Sequence, residues 1–306
     1  MRVASIDCGT NSIRLLIADI DNGHMQEHVR DMRVVRLGQG VDATGRFADE
    51  AIARTFAACD VYAKQCRTFD VERVRCVATS ATRDASNRDE FIDGVRARLG
   101  VAPDVISGDE EASLSFAGAT RELLNIEPAP FLVVDIGGGS TEFVLGTTSP
   151  DATCSVNVGC VRMTERHALG GGGATADSPE VVAAIADIDA AIARAAASVP
   201  LAQARTFIAV AGSATTVAAH ALRLHKYDRA AIHGTVLTLD QVRAASDDFL
   251  TLTHDARAAL PYMHPGRVDV IPAGALVLRR VMERGNFGSV RISEHDILDG
   301  IAWSIG

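Results

Sequence analysis

One motif occurs twice in the 306-residue chain, and this internal repeat constrains the fold more than any other feature. Residues 4–17 read ASIDCGTNSIRLLI, and residues 132–145 read LVVDIGGGSTEFVL. The two copies keep an aspartate, a glycine and a serine at the same spacing, with apolar residues on both sides: Asp7 matches Asp135, Gly9 matches Gly137 and Ser12 matches Ser140. The duplication predicts two domains of related fold.

Each copy has the pattern of a buried strand, a tight glycine turn and a second strand, with a carboxylate at the end of the first strand. Backbone N–H groups exposed in a glycine turn bind anionic oxygens, and a nearby aspartate can hold a divalent cation that offsets phosphate charge. We therefore expect two such turns to face each other and to bind a phosphorylated ligand between the two domains.

Composition excludes several classes of protein. A chain of this length with 47% hydrophobic residues can bury two separate cores. The net charge of −9 argues against a protein that coats nucleic acid or an anionic membrane surface. Lys64 and Lys226 are the two lysines among thirty basic residues, so arginine, whose planar fork suits bidentate phosphate contacts, is almost the sole cation.

Cysteine and histidine spacing gives no metal signature. The six cysteines show no CxxC pair, and no charged-then-apolar leader precedes the first strand, which favours a cytoplasmic protein with reduced thiols. No apolar run approaches the roughly 18 to 20 residues that span a bilayer, so a membrane protein is not expected. Neither His220 with His225 nor His254 with His264 has the i, i+4 spacing of a helical zinc site.

The order of elements predicts an α/β layout. The first half shows an antiparallel meander followed by helices that alternate with strands: strands at 2–8, 12–20, within 25–37, 74–78 and 104–106, and helices at 49–69 and 88–99. The second half repeats the meander and then becomes helical: strands at 131–135, 141–145, 153–158 and 207–210, and helices at 178–198, 239–252, 267–285 and 294–304. Ser178 with Pro179 and Thr238 with Gln241 are the expected helix starts.

Two adjacent acids stand out between the repeats. Ser107 and Glu110 have the spacing of a capping box, which predicts that the Glu110 carboxylate turns back to the first amide of the helix. Glu111 is then available to accept a proton from water that attacks phosphorus. An equal alternative is that both acids only complement the helix dipole.

Five blocks in order resemble the exopolyphosphatase and guanosine pentaphosphate phosphohydrolase family, within the superfamily of actin, sugar kinases and heat-shock chaperones. The blocks are residues 7–17, 78–83, 107–112, 135–142 and 159–162. The chain is similar to the compact form of the family, which lacks extra C-terminal helical domains. The resemblance implies an α/β fold of two ribonuclease-H-like (actin-like ATPase) domains with an interdomain cleft. We expect the two domains at residues 1–125 and 126–293, and the helix at 294–306 to pack on the first domain.

The resemblance also implies an activity: removal of the terminal phosphate from inorganic polyphosphate or from guanosine pentaphosphate, with Mg²⁺. By the same resemblance Glu111 is the catalytic base, and Asp135 and Glu142 are metal ligands. We further expect Asp7 to contribute to the metal site through water. Expected phosphate contacts come from Thr10, Asn11, Ser12, Arg83, Gly137, Gly138, Gly139 and Ser140. Arg14 stands where the second copy has Glu142. Its side chain is equally well interpreted as a contact to substrate or as the partner of a buried carboxylate.

Other interpretations stay open at this point. One is a kinase of the same superfamily, and another is a regulator that binds guanosine tetra- or pentaphosphate without rapid turnover. Gly212 and Ser213 resemble a nucleotide-binding glycine segment but fit a plain strand-to-helix turn equally well. A homodimer is the base-rate expectation for an enzyme of this size.

Overall fold

The computed structural model describes residues 1–306 and divides into two compact units. The first unit comprises residues 1–118 together with 297–306, and the second comprises residues 119–296. The sequence placed the first boundary later, after residue 125, and the second one earlier, after residue 293.

A five-stranded mixed sheet forms the first unit. Its strands are β1 (Arg2–Cys8), β2 (Ser12–Asp21), β3 (His24–Val34), β4 (Arg73–Ala78) and β5 (Asp104–Val105). They lie in the order β3-β2-β1-β4-β5, so an antiparallel meander continues into two parallel strands on the other side of β1. The central strand β1 has six of its seven residues buried, whereas β3 forms an edge and has no buried residue.

Six helices complete this unit. They are α1 (Val41–Thr44), α2 (Asp49–Thr68), α3 (Ser80–Asp84), α4 (Arg88–Leu99), α5 (Gly108–Thr120) and the last helix of the chain, α13 (Ile297–Ile305). The alternating pattern predicted α2 and α4 closely, but it did not predict the single turns α1 and α3. Helices of four or five residues carry too little periodicity to be recognised in a sequence.

The last helix, α13, packs on β1 and β2. Leu298 and Ala302 join a cluster of buried side chains from these two strands. Asp299 forms an ion pair with Arg30, and a Cβ atom at Gly300 would lie 2.0 Å from the carbonyl oxygen of Leu114. Glycine at this position therefore allows α13 to approach α5 closely, and the end of the chain completes the first unit.

The second unit repeats the sheet of the first and adds one strand. Its strands are β6 (Phe131–Ile136), β7 (Thr141–Gly146), β8 (Pro150–Val156), β9 (Thr206–Val210), β10 (Val236–Thr238) and β11 (Ser289–Ile292). The order β10-β11-β9-β6-β7-β8 contains the same meander and the same two parallel neighbours. The internal repeat thus corresponds to equivalent hairpins in two sheets of equal topology, which confirms the predicted α/β fold with two related domains.

Seven helices surround this second sheet: α6 (Cys160–His167), α7 (Pro179–Ser198), α8 (Ala211–Ala221), α9 (Arg229–Ile232), α10 (Leu239–Thr251), α11 (His254–Ala258) and α12 (Ile271–Gly285). The capping box at Thr238 and Gln241 is confirmed. Ser178 lies at the N-cap position just before α7, but its hydroxyl accepts a hydrogen bond from the amide of Thr175 instead of capping the helix. The helix predicted at 267–285 begins at Ile271 because residues 265–267 form a separate 3₁₀ turn.

Two expectations from composition can be compared with the fold. All six cysteines are free thiols. None of the helices combines the length and the hydropathy that a bilayer span requires.

Candidate active site

Each of the two repeated motifs forms a hairpin, and the same hydrogen bond closes the turn in both. In the first, the N–H of Gly9 donates to the carbonyl oxygen of Ser12 at 3.0 Å, and in the second the N–H of Gly137 donates to that of Ser140 at 3.0 Å. The amide of Gly137, which the sequence assigned to phosphate, is therefore used to close the hairpin, as is that of Gly9. The phosphate contacts expected of Thr10, Asn11 and Ser12, and of Gly138, Gly139 and Ser140, fall on the tips that follow these glycines.

In the second hairpin, a row of polar side chains crosses three neighbouring strands. Asp135 on β6 pairs in register with Glu142 on β7, which pairs with Ser155 on β8. Residues that pair directly in this way present their side chains on the same face of a sheet. Asp135 is 6% exposed and Glu142 is fully buried, and the Ser155 hydroxyl donates to Glu142 Oε1 at 2.7 Å.

This donor set fits a divalent cation. Two buried carboxylates on adjacent strands repel each other when both are ionised, and a bound cation removes that repulsion. Carboxylate oxygens are the ligands that Mg²⁺ and Ca²⁺ prefer. Asp135 and Glu142 could hold such an ion, as the sequence predicted, and the hydroxyl of Ser155 orients Glu142.

The equivalent row of the first hairpin has a different charge. Asp7 on β1 pairs in register with Arg14 on β2, and Arg14 Nε and Nη2 donate to Asp7 Oδ2 at 3.0 and 2.7 Å. Arg14 thus contacts a buried carboxylate, one of the two interpretations that its position left open. Because a guanidinium already balances the charge of Asp7, this aspartate is a poorer candidate for a metal ligand than the acids of the second hairpin.

Glu111 lies in the first turn of α5, and Arg83 lies in the last turn of α3. Arg83 Nη1 donates to Glu111 Oε2 at 2.7 Å and to the carbonyl oxygen of Ile106 at 3.0 Å. Glu111 is 8% exposed, so the ion pair keeps a buried carboxylate next to a guanidinium. The structure brings together two residues that were predicted to have separate roles, Glu111 as base and Arg83 as phosphate ligand.

Glu110 behaves differently from its prediction. The hydroxyl of Ser107 accepts a hydrogen bond from the Glu110 amide at 3.2 Å, so half of the capping box is present. The Glu110 carboxylate accepts from Arg75 Nη2 at 2.6 Å instead of turning back to the helix start. A charge-assisted bond to a guanidinium is stronger than a bond to a neutral amide, and this explains the difference.

The glycine segment at Gly212 and Ser213 forms the start of α8. A Cβ atom at Gly212 would lie 2.5 Å from the guanidinium of Arg267, whose Nη1 donates to the Thr216 hydroxyl at 3.1 Å. Ser213 is buried against Gly274 of α12. Arg267 therefore covers Gly212, as expected for a packed strand-to-helix turn.

Two cysteines near the hairpins are not suited to nucleophilic chemistry. Burial raises the pKa of the Cys160 thiol, which begins α6. The contact of Cys8 with Cys76, with the sulfur atoms 3.8 Å apart, and its burial raise the pKa of Cys8 as well. Thiolates are the reactive form of cysteine, so both residues are poor nucleophiles at neutral pH.

A second cluster of possible metal ligands lies in the second unit, where sequence spacing gave no signal. One side-chain donor atom from each of Glu122, His233 and His295 lies within 4.8 Å of the others. His233 Nδ1, however, accepts a hydrogen bond from the amide of Glu294 at 3.1 Å, which places the proton of the neutral ring on Nε2. Since Nε2 is the atom that faces the cluster, this donor set does not fit a metal ion.

Comparisons with known proteins extend along the whole chain. The model of the Ppx/GppA phosphatase family matches residues 16–305. A Mycobacterium tuberculosis protein named exopolyphosphatase 2 is 49% identical over 99% of this chain and 98% of its own length. A bifunctional 3-dehydroquinate synthase/phosphatase of Fusobacterium nucleatum is 32% identical over 97% of this chain, which matches 45% of that longer protein.

Solved structures also match this chain over its whole length. The crystal structure of an exopolyphosphatase-like protein superposes with a TM-score of 0.95 at 44% identity, covering 100% of this chain and 99% of the other. The Ppx/GppA family member of Aquifex aeolicus superposes with a TM-score of 0.80 at 30% identity, covering 100% and 97%.

Proposed function

Because the chain belongs to the Ppx/GppA phosphatase family, we propose that it is an exopolyphosphatase, which hydrolyses the terminal phosphoanhydride bond of inorganic polyphosphate and releases phosphate. The observation that carries this proposal is the 49% identity, over nearly the full length of both chains, to a protein named exopolyphosphatase 2. The carboxylate row, the glycine hairpins and the Arg83–Glu111 pair would supply the groups that this reaction needs.

Phosphate oxygens would be bound by backbone amides at the tips of the two hairpins. Phosphoryl transfer depends mainly on positioning and on stabilising charge on the equatorial oxygens, so fixed N–H donors contribute directly to catalysis. Thr10, Asn11 and Ser12 would supply such donors in the first unit, and Gly138, Gly139 and Ser140 would supply them in the second.

Asp135 and Glu142 would hold Mg²⁺, which offsets the charge of the phosphate oxygens. The supporting observation is that both carboxylates are almost fully buried on adjacent strands, and that Ser155 fixes the orientation of Glu142. Asp7 would act at most through water, because Arg14 already occupies one of its oxygens.

Glu111 would be the catalytic base that takes a proton from the water attacking the terminal phosphorus. Arg83 holds Glu111 Oε2 and so fixes the direction of the carboxylate. The same guanidinium would bind the terminal phosphate, since Arg can donate to a carboxylate and a phosphate with different N–H groups. We expect the enzyme to act in the cytoplasm, where its six free thiols stay reduced.

The proposal is tested by measuring phosphate release with Mg²⁺ from polyphosphate, guanosine pentaphosphate and ATP in parallel. Release from polyphosphate without an acceptor supports an exopolyphosphatase. Faster release from guanosine pentaphosphate would make the nucleotide the substrate. Acceptor-dependent ADP formation would identify a kinase, and tight guanosine pentaphosphate binding with negligible release would identify a regulator.

The catalytic base is tested by exchanging the two adjacent acids. Glu111→Gln is expected to lower turnover of polyphosphate by about 10²- to 10⁴-fold, the usual contribution of a positioned base, with substrate affinity largely kept. Glu110→Gln is the matched control, because its partly exposed carboxylate bonds to Arg75 and it is expected to keep its turnover. Equal loss in both variants, or a loss confined to Glu110→Gln, would overturn the assignment.

A further inference from the structure

The segment at residues 159–162 resembled a family block in sequence, yet none of its residues has a role in the proposed reaction. In the structure it follows β8 and begins α6, and it lies against the tip of the second hairpin. Four hydrogen bonds join the two: from the N–H of Cys160 to Gly137 O (2.9 Å), of Val161 to Gly138 O (2.9 Å) and of Arg162 to Gly138 O (3.1 Å), and from Arg162 Nε to Gly139 O (2.7 Å). The first N–H groups of a helix have no partner within it, and here the hairpin carbonyls supply one.

This contact fixes the direction of the hairpin amides. In a planar trans peptide the C=O and the following N–H point in opposite directions. Since the carbonyls of Gly137, Gly138 and Gly139 point at α6, the N–H groups of Gly138, Gly139 and Ser140 point away from it. These three N–H groups donate to no acceptor in the protein, although Gly139 and Ser140 are buried. Buried N–H groups almost always have a partner, so this arrangement indicates a bound anion.

Glycine at position 159 is required by the close approach. A Cβ atom there would lie 2.5 Å from both C and O of Gly138 and 2.7 Å from N of Gly139. Any larger residue would push directly on the peptide that joins Gly138 to Gly139. Backbone meets backbone at this point, so a side-chain movement cannot relieve the overlap.

In the first unit, backbone N–H groups that follow β3 hold the carbonyls of the first hairpin tip in a similar way. After β3, the N–H groups of Val35 and Arg36 donate to Asn11 O at 3.1 and 2.8 Å, and that of Gly38 donates to Thr10 O at 2.8 Å. A Cβ atom at Gly38 would lie 2.2 Å from Thr10 Cγ2. Two unrelated local sequences thus hold the carbonyls of both hairpin tips, which favours a shared functional requirement over accidental packing.

We propose that Gly159 and Arg162 are positioning residues for phosphate binding: together with the first turn of α6 they hold the hairpin carbonyls, so that the N–H groups of Gly138, Gly139 and Ser140 face a phosphate group of the substrate. The inference rests on the proposed function for the identity of the substrate. Arg162 acts in it through the carbonyl of Gly139, without touching the phosphate.

The test measures binding of methylenediphosphonate, a pyrophosphate analogue that cannot be hydrolysed, by calorimetry in the presence of Mg²⁺. Loss of one oriented hydrogen bond corresponds to roughly a tenfold change in affinity, so Arg162→Ala is expected to weaken binding by up to about tenfold. Gly159→Ala is expected to weaken it more, because the added methyl group displaces the peptide itself. In turnover of tripolyphosphate, Arg162→Ala is expected to raise KM more than it lowers kcat, since Glu111 is unchanged.

Two variants serve as matched controls. Arg166→Ala removes an arginine from the same helix whose Nη1 bonds to Asp187 at 2.7 Å. Gly171→Ala adds a methyl group at a glycine with no atom within 4 Å of the new carbon. Both controls are expected to bind the analogue as the wild type does. Arg162→Lys keeps the positive charge but removes the Nε–H group that donates to Gly139 O. Wild-type affinity in this variant would mean that Arg162 binds phosphate by its charge, and would overturn the proposal.

Two further outcomes would also overturn the proposal. A lower melting temperature with unchanged affinity in Arg162→Ala would show a purely structural role, and absence of binding to the wild type would remove the anion from the inference. If Gly159→Ala does not fold, Arg162→Ala carries the test alone. Failure of the proposed function shows separately, as wild-type protein that binds the analogue yet releases no phosphate from polyphosphate.

Discussion

The two hairpins have the same backbone turn and the same aspartate, but they differ in the residue that faces this aspartate on the next strand. In the first unit Asp7 faces Arg14, and the pair is neutral. In the second unit Asp135 faces Glu142, and the row carries two negative charges when both residues are ionised. A duplicated element has thus become one neutral row and one acidic row.

Because their charges differ, the two rows are expected to contribute differently to stability and to cation binding. A neutral ion pair stabilises its own unit and has no charge left to attract a cation. Two buried carboxylates on adjacent strands repel each other when both are ionised, and a bound cation relieves that repulsion, which favours a binding site over a structural pair. We therefore expect the first hairpin to respond to mutation mainly in stability and the second mainly in metal-dependent activity.

The largest expected effect comes from removing one charge of the acidic row. Glu142→Gln keeps the shape of the side chain but weakens Mg²⁺ binding, and a metal ion contributes several kcal/mol to stabilising phosphoryl charge. Turnover of polyphosphate is expected to fall by about 10³-fold, equivalent to about 4 kcal/mol. Thermal unfolding gives a second readout, because Mg²⁺ should raise the melting temperature of the wild type and leave that of the variant nearly unchanged.

Asp151→Asn is the control for this prediction, because Asp151 is an exposed carboxylate on β8, the strand that carries Ser155. It should keep both the activity and the response to Mg²⁺. A Glu142→Gln variant that still gains stability from Mg²⁺ to the same extent would place the cation elsewhere and would remove the contrast between the hairpins.

The intermediate effect concerns the neutral row. Arg14→Gln leaves the buried Asp7 without its guanidinium, and removal of one partner from a buried ion pair typically costs about 3 to 5 kcal/mol. Because the Arg14 side chain is 19% exposed and solvent screens part of the interaction, we expect a loss of about 2 to 3 kcal/mol in the free energy of unfolding, measured with urea.

The double variant Asp7→Asn with Arg14→Gln is the control, since it removes both charges and leaves no uncompensated carboxylate. It should recover most of the lost stability. If the double variant is as unstable as Arg14→Gln alone, the arginine stabilises the unit by packing and the ion pair has no measurable part.

The contrast between the rows could be predicted from sequence because it is local. A hairpin with a fixed turn also fixes the register of its two strands, so Asp7 must face Arg14 and Asp135 must face Glu142 once the turn is recognised. The meander and the long amphipathic helices were predictable for the same reason, since periodicity is a property of neighbouring residues.

Contacts between distant parts of the chain could not be predicted. The Arg83–Glu111 pair, the bond from Arg75 to Glu110 and the α6 contacts with the second hairpin join segments whose distance in space depends on the whole sheet. Arg257 shows the same limit: it is fully buried and donates to the carbonyls of Phe249, Leu252, Val268 and Gly170. A sequence pattern assigns arginine to the surface, because only the folded chain supplies so many acceptors.

The smallest effect tests how the acidic row is held in place. Ser155 donates to Glu142 Oε1 at 2.7 Å, whereas Met32, which pairs with Arg14 at the equivalent place in the first hairpin, has no hydroxyl to donate. Ser155→Ala should weaken Mg²⁺ binding by about tenfold, the usual effect of losing a residue that orients a metal ligand. The measurement is a titration of the melting temperature with Mg²⁺, compared with Ser149→Ala, an exposed serine in the turn that precedes β8. Because the two carboxylates stay in place, turnover at saturating Mg²⁺ should recover to the wild-type value. If it does not, Ser155 contributes to the reaction itself, and the acidic row extends over three strands instead of two.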